Sequence, residues 1–182
     1  MPEDKKDDQS ENKAIALLIS ALALVLAFCQ ILGENAQADA IEQNIEATNL
    51  WAFFQAKTIR QTVVRTAAEE MEASGAKLES EKKQVAKWRE IAQTFQSEPD
   101  TGEGRDQLKL RAREAEKKRD LAMVADHRYQ MASAAVQIAI VLASAAIITN
   151  MFALVWAAGA LGVLGIFLCA LGFFFPTALA FI

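Results

Sequence analysis

The side chain best suited to act as a general base near neutral pH is His127, the single histidine among 182 residues. It lies in the segment Asp126-His127-Arg128-Tyr129, directly before a long apolar stretch. Tyrosine and basic residues are common where a helix crosses the boundary between membrane and water. We therefore predict that His127, Arg128 and Tyr129 are membrane-interface anchors, and we keep catalysis or pH sensing by His127 as the alternative.

Other groups that could do chemistry are scattered along the chain. A single histidine excludes a His-rich metal site, and the two cysteines, Cys29 and Cys169, lie in separate apolar runs without a CxxC pair. The carboxylates of Glu69, Glu70 and Glu72 cluster, but a solvated helix end explains them. The sequence therefore predicts no catalytic residue, no metal and no cofactor. An enzyme would need a site built between subunits.

Charge is distributed in blocks along the chain. All 19 Lys and Arg residues lie at or before Arg128, and no charged side chain occurs from Gln130 to the last residue. Such a tail is typical of a membrane protein, so the lipid bilayer is the expected partner. The net charge of −4 gives no basic surface for polyanions, and we expect no nucleic-acid partner.

Three apolar segments predict transmembrane helices at residues 14–32, 131–148 and 152–175. The first is longer than the roughly 7–15 residues of a signal-peptide core, so we expect it to be retained. Residues 1–13 are polar and predict a disordered tail, and residues 176–182 form a short C-terminal end. The chain is thus expected to cross the membrane three times.

The second and third spans carry small residues, which allow helices to pack closely in lipid. Gln137 is their only strongly polar mid-span side chain, and none of the three spans carries a charged residue or histidine, which argues against a proton relay. An interhelical hydrogen bond is one role for Gln137, and lining an oligomeric pore is the other. The predicted packing or pore positions are Gln137, Ala135, Ala139, Ala143, Gly159 and Gly162.

Residues 33–130 predict a long extramembrane helical hairpin, with breaks near 73–76 and 97–104 where Gly and Pro occur. Spacings of three, four and seven keep one apolar face along its first arm, and alternating steps of four and three follow in its second helix, as in a coiled coil. The face consists of Ile41, Ile45, Ala52, Ala56, Ile59, Val63 and Ala67. The predicted fold class is therefore all-α, with a membrane part and a coiled-coil-like hairpin.

The cluster from Leu50 to Phe54 breaks this one-sided pattern, because five consecutive residues go all the way round a helix and four of them are large and apolar. A two-helix hairpin covers one side only, so a third segment or another subunit is expected there. We predict a homo-oligomer, with protein partners beyond it undefined. Its predicted interface residues are Leu50, Trp51, Phe53, Phe54, Ile59, Val63, Trp88 and Phe95.

Two basic clusters favour opposite orientations of the hairpin in the membrane. Lys5, Lys6 and Lys13 precede the first span, which favours a cytoplasmic N-terminus and an extracytoplasmic hairpin. A second basic cluster, from Arg111 to Arg128, precedes the second span and favours the opposite arrangement. We follow the first helix and predict an extracytoplasmic hairpin.

Two stretches carry a resemblance to a known family. They are Asn49-Leu-Trp-Ala-Phe-Phe-Gln-Ala-Lys-Thr-Ile-Arg-Gln61, and Asp126-His-Arg-Tyr followed by Val136-Gln-Ile-Ala-Ile-Val-Leu-Ala-Ser144. With Asn12-Lys13, they resemble an uncharacterised family of bacterial membrane proteins known as a domain of unknown function. The resemblance implies a bacterial inner membrane and no assigned activity. Family members have basic residues between the last two spans, where this chain has Thr149-Asn150-Met151.

Two functions follow as expectations. The first is a non-enzymatic structural or scaffolding membrane protein that forms a homo-oligomer through its hairpin. The alternative is an oligomeric channel or small-molecule conduit lined by the second span.

Overall fold

The computed structural model describes residues 3–75, 78–98 and 101–174, with side chains from residue 12 onward. These residues form four α-helices and no strand, so the prediction of an all-α fold is confirmed. The helices are α1 (Glu3–Ala73), α2 (Glu79–Gln96), α3 (Arg105–Thr149) and α4 (Phe152–Phe174).

Helix α1 begins at Glu3, whereas the polar composition predicted a disordered tail over residues 1–13. No Gly or Pro interrupts the chain from Glu3 to Leu32, so the helical backbone extends through the polar segment. Met1 and Pro2 lie outside the described residues. At its other end α1 stops before Gly75, whose φ of 83° and N–H bond of 3.1 Å to the Glu72 carbonyl form a left-handed cap.

The remaining connections are short. The predicted breaks near 73–76 and 97–104 lie at the ends of α1 and α2, although Ala76, Lys77, Pro99 and Asp100 are outside the described residues. Between α3 and α4, Asn150 adopts a left-handed φ of 50°, a conformation that asparagine tolerates better than most residues.

Helices α1, α3 and α4 are each long and apolar enough to cross a membrane, by length and composition. The predicted spans 14–32 and 131–148 lie within α1 and α3, and the predicted span 152–175 coincides with α4 up to Phe174. Phe175 and the predicted end at 176–182 are outside the described residues. The structure is consistent with a multi-pass membrane protein.

Contacts divide the chain into two units. We call residues 1–40 with 120–182 the apolar unit, and residues 41–119 the hairpin unit. Helices α1 and α3 contribute residues to both units, and each unit has its own core.

The apolar unit packs through small residues. Ala158, Gly162, Gly165 and Gly172 are buried on one face of α4 at steps of four, three and seven. A methyl group on Gly165 would lie 2.5 Å from Val136 Cγ2 and 3.2 Å from the Ala132 carbonyl oxygen. The helices therefore approach closely because these positions have no side chain, as is common for helix pairs in membranes.

The hairpin unit packs on one side of α1 through both small and large side chains. Its core contains Ala47 and Leu50 from α1 with Leu108, Ala112 and Ala115 from α3, and Trp51 and Phe54 pack against this core. Farther along α1, Ala68 is buried, as are Val85 and Ala92 of α2. Helix α2 and the first part of α3 therefore cover the same side of α1, one after the other.

Candidate functional site

A group of charged side chains lies at the connection between α2 and α3 in the hairpin unit. Lys57 of α1 is only 7% exposed, and its Nζ atom donates a hydrogen bond of 2.8 Å to Glu98 Oε2. Glu103 lies 3.9 Å from the same nitrogen, and the Phe95 ring centroid is 5.8 Å away. The hydrogen bond from Lys57 holds the pKa of the Glu98 carboxyl below its ordinary value.

Arg105, the first residue of α3, joins all three helices of this unit. Its Nε donates to Thr58 Oγ1 at 2.9 Å, and its Nη1 donates to Gln96 Oε1 at 2.9 Å and to Gln61 Oε1. The guanidinium carbon also lies 5.1 Å from the Phe54 ring centroid. These donors are used in holding the helices together, so the arrangement indicates a structural role rather than a catalytic one.

A groove of about 350 Å³ lies beside this cluster, between α1 and α2. Its two arginines are already paired: Arg65 with Glu69 at 3.4 Å, and Arg89 with Glu72. Both pairs are largely exposed to solvent and neutralise the groove. It therefore lacks the convergent unpaired charge expected of an anion site.

The apolar face predicted along α1 is present, but the hairpin unit packs on the opposite side of that helix. Ile41, Ile45, Ile59 and Val63 are each more than half exposed. We call Ile41, Ile45, Ala52, Ala56, Ile59, Val63 and Ala67 the uncovered face. No helix of the hairpin unit covers it among the described residues.

The residues predicted for an oligomer interface separate into three groups. Leu50 is buried in the core of its own hairpin unit, and Trp51 and Phe54 pack against that core. Trp88 and Phe95 are half-buried on α2. Phe53, Ile59 and Val63 are exposed, so these three are the members of the set available to a partner.

Trp51 illustrates why the aromatic cluster does not need a partner on every side. Its Nε1 atom donates a hydrogen bond of 2.8 Å to Glu116 Oε1, and its ring meets that of Phe54 edge to face, with centroids 5.4 Å apart. The first turns of α3 thus cover the side of the cluster that the sequence left open.

A second groove, of about 410 Å³, lies between α1 and α3 in the apolar unit. We call it the polar groove, after the seven polar side chains that line it: Gln30, Glu34, Gln37, Asp126, Gln130, Ser133 and Gln137. Cys29, Gly33, Tyr129 and Ala134 complete its walls. Gln130 Nε2 donates to Asp126 Oδ2 at 2.9 Å.

The predicted packing and pore positions differ in their burial and in their contacts. Ala139 and Ala143 are fully buried and Ala135 is half-buried, while Gln137 is exposed in the polar groove. A methyl group on Gly162 would lie 2.6 Å from Leu22 Cδ2, whereas one on Gly159 would meet nothing within 4 Å. Gly162 is therefore a point of close helix approach, and Gly159 is not.

The predicted interface anchors also differ. His127 is exposed, but Arg128 is buried and its Nη1 donates a hydrogen bond of 3.4 Å to the Leu171 carbonyl near the end of α4. Tyr129 is buried, with its ring beside Gly172 and its Cβ beside Gly33. Arg128 and Tyr129 thus hold three helices of the apolar unit together.

The sequence did not lead us to predict the polar groove, and the glycines at 165 and 172 of the third span were not among the predicted packing positions. A usable signal was present: Asp126, Gln130, Ser133 and Gln137 recur at steps of four, three and four, which place them on one face of a helix. Within the described residues there is no group of three or more His, Cys, Asp and Glu side chains that could hold a metal ion.

Comparison with known protein families identifies the chain. Residues 11–175 match the model of a family described as a domain of unknown function (DUF4337), so the chain belongs to this family. No curated protein and no solved structure shows significant similarity to it.

Proposed function

We propose that this family member is a non-enzymatic scaffolding protein, which crosses a membrane three times and assembles with further copies of itself through the uncovered face of α1. The observation that carries the proposal is the exposure of this face, with Ile59 64% exposed and Val63 62% exposed. A contiguous row of exposed aliphatic side chains in water is a mark of an interaction surface.

The uncovered face also lacks charged side chains, and the polar groups described beside it are already hydrogen-bonded. None of its seven residues is charged. Beside it, Thr48 Oγ1 donates to the Asn44 carbonyl at 2.8 Å, and Thr62 Oγ1 donates to the Thr58 carbonyl at 2.9 Å. Because these hydroxyls are satisfied within the helix, burying them against a partner leaves no donor unpaired.

The spacing of the face favours a second copy of the same helix as its partner. Ile41, Ala52 and Val63 follow one another at intervals of 11 residues, as do Ile45, Ala56 and Ala67. An 11-residue repeat keeps a seam on one side of nearly straight helices with a slight right-handed supercoil. A partner with the same repeat can follow this seam along its whole length.

The flanking charges are compatible with parallel copies, which is the arrangement expected of chains anchored in one bilayer. Arg60 follows Glu42 by five turns, so both lie on the same flank of the face. In a parallel pair this flank meets the other flank of the partner helix, where Asn44, Gln55 and Thr62 lie. Like charges are therefore not brought together.

The location of the protein is part of the proposal. The three apolar helices support a multi-pass membrane protein, and the family resemblance supports the inner membrane of a bacterium. Lys5, Lys6 and Lys13 before the first span support a cytoplasmic N-terminus and an extracytoplasmic hairpin unit.

The test is the mass of the detergent-solubilised full chain by light scattering. We expect an oligomer for the wild type and a monomer for Ile45→Glu/Ile59→Glu, because two charges in the seam of each copy must be desolvated. The matched control is Leu110→Glu, since Leu110 is similarly exposed on α3 but lies outside the face. It should remain assembled.

Circular dichroism of each variant should show unchanged helix content, because all three positions are exposed. A monomeric wild type at every concentration would remove self-assembly from the proposal. A fully assembled Ile45→Glu/Ile59→Glu variant would remove the uncovered face as the interface.

An oligomeric conduit stays the second proposal. The exposed amide of Gln137 supports it. Farther along the same side of α3, however, Val141 and Ile148 expose apolar side chains, so a continuous polar lining is lacking on this helix. The scaffold is therefore the function that we favour.

A further inference from the structure

The polar groove of the apolar unit has two chemically different ends. Glu34 and Asp126 place two carboxylates at one end, and no Lys or Arg lines the groove. Toward the other end it is lined by the amides of Gln30 and Gln137 and the hydroxyl of Ser133. The first end suits a cation, and the second offers hydrogen-bond donors to oxygen atoms.

Ser133 contributes a hydroxyl to the groove that is not bonded back to its own helix. Two other serines in apolar helical segments bond back to their own helix: Ser20 to the Ala16 carbonyl at 2.9 Å, and Ser144 to the Ile140 carbonyl at 2.8 Å. Ser133 is 9% exposed and lines the groove, yet its hydroxyl makes no such bond among the described residues. This hydroxyl is therefore available to donate a hydrogen bond to a group bound in the groove.

The groove crosses the depth at which lipid headgroups lie, provided that the chain spans a membrane as proposed above. Asp126 precedes the predicted span 131–148 by five residues, about 7.5 Å along the helix, and Gln137 is about 9 Å inside it. The carboxylate end therefore faces the headgroup region, and the amide end faces the ester region. Beyond Gln137, the exposed side chains of Ile138 and Val141 are apolar.

We propose that the polar groove binds one phospholipid with a primary-amine headgroup, of the phosphatidylethanolamine type. The ammonium group pairs with Glu34 and Asp126. The phosphate and ester oxygens accept hydrogen bonds from the Gln137 amide and the Ser133 hydroxyl, and the acyl chains follow the apolar surface of α3. The order of the groups in the lipid matches their order along the groove.

A second copy of the chain fits this groove poorly. Placing two grooves face to face would bring Glu34 and Asp126 of both copies together, and like charges repel most strongly where water is partly excluded. A lipid amine instead neutralises both carboxylates. The inference rests on the membrane location in the proposed function but not on self-assembly.

The experiment is native mass spectrometry of the detergent-purified full chain mixed with equal amounts of phosphatidylethanolamine and phosphatidylglycerol that carry the same acyl chains. We expect one lipid per chain and a preference of about tenfold for phosphatidylethanolamine, the effect of two partly exposed ion pairs. Glu34→Gln/Asp126→Asn should abolish the preference. Asp39→Asn, an exposed carboxylate of α1 outside the groove, should keep it.

One further variant and one soluble competitor identify which part of the lipid is recognised. Gln137→Leu should reduce retention of both lipids, because it removes a donor that both use. Water-soluble glycerophosphoethanolamine should not displace the lipid at equal concentration. Equal retention of the two lipids by the wild type, an unchanged preference in Glu34→Gln/Asp126→Asn, or displacement by the soluble headgroup would each overturn the proposal.

The double variant that we expect to be monomeric separates this inference from the proposed function. Ile45→Glu/Ile59→Glu should retain the lipid preference, since neither position lines the groove. A chain that does not fractionate with membranes would refute the membrane location itself. A membrane-bound chain without lipid preference would refute the groove assignment alone.

Discussion

The apolar unit and the hairpin unit both pack helix against helix, but with different side chains. Contacts in the apolar unit are made by Ala132, Ala139 and Ala143, and by glycines of α4 that face Leu22, Val136 and Tyr129. The hairpin unit combines the small residues Ala47, Ala112 and Ala115 with the large side chains of Leu50, Leu108, Trp51 and Phe54, and no glycine takes part in its described core. This contrast supports the proposed location of the two units, because in lipid the burial of a large side chain gives no hydrophobic gain and close approach is favoured, whereas in water burial of apolar area is the main driving force.

The outer surfaces show the same contrast. The apolar unit exposes large side chains such as Phe152, Trp156 and Ile148. The hairpin unit exposes mostly charged and polar residues, and its exposed aliphatic side chains are concentrated along the uncovered face of α1. A row of exposed isoleucine and valine is ordinary in a unit surrounded by lipid and costly in one surrounded by water. This difference is why we place the interaction surface on the hairpin unit.

The largest expected effect concerns the core of the hairpin unit. Leu108 is 1% exposed, so Leu108→Ala should destabilise this unit by about 3 kcal/mol, through lost burial and the cavity left behind. Hydrogen exchange of the full chain in detergent should show lost protection in α2 and the start of α3. Leu110→Ala, two residues away and 61% exposed, should change protection little. Equal losses would contradict the core described here.

A somewhat smaller effect tests the packing rule of the apolar unit. Gly165→Ala should destabilise that unit by about 2 kcal/mol, because the added methyl group meets Val136 and the Ala132 carbonyl. Thermal unfolding in detergent measures this change. Gly159→Ala adds the same methyl group in open space and should leave the midpoint unchanged or slightly higher. If the two variants behave alike, small residues do not set this contact.

The smallest expected effect is a pH dependence confined to the hairpin unit. Lys57 lowers the pKa of Glu98 in the folded chain from an ordinary value of 4.5. The ionised carboxylate therefore adds stability above pH 4.5, and this contribution is lost as the pH falls through the lowered pKa.

Protection of α2 against hydrogen exchange should therefore fall less steeply with acid in Glu98→Gln than in the wild type. Glu103→Gln, which removes the more distant carboxylate at 3.9 Å from Lys57, should keep the wild-type slope. Parallel slopes for Glu98→Gln and the wild type would show that this hydrogen bond does not contribute to stability.

Much of this fold could be predicted because its signals are local. The apolar runs, the stop at Gly75 and the small-residue row through Ala139 and Ala143 are all visible in the sequence. The choice of the covered side of α1 was not visible, because that helix carries two apolar rows. One row contains Leu50 and Phe54, the other Ile59 and Val63, and periodicity alone does not decide which row the chain covers itself.

The polar groove was hidden for a different reason. Gln30 and Glu34 belong to α1, whereas Ser133 and Gln137 belong to α3, about a hundred residues later. Taken alone, the polar pair on each helix is typical of a helix segment near the membrane surface. Only the register of the two helices brings them to one groove, and that register depends on three-dimensional packing, including the contact of Tyr129 with Gly33.

The single turn of α3 that contains Arg128 and Tyr129 has a consequence for how the chain is made. Its partners Leu171 and Gly172 belong to α4 and are synthesised after α1, α2 and α3, whereas Gly33 belongs to α1. The buried arginine gains the Leu171 carbonyl, and the tyrosine ring gains its glycine neighbour, only after α4 is almost complete. Packing of the apolar unit can therefore be completed only after α4 has been synthesised almost to its end.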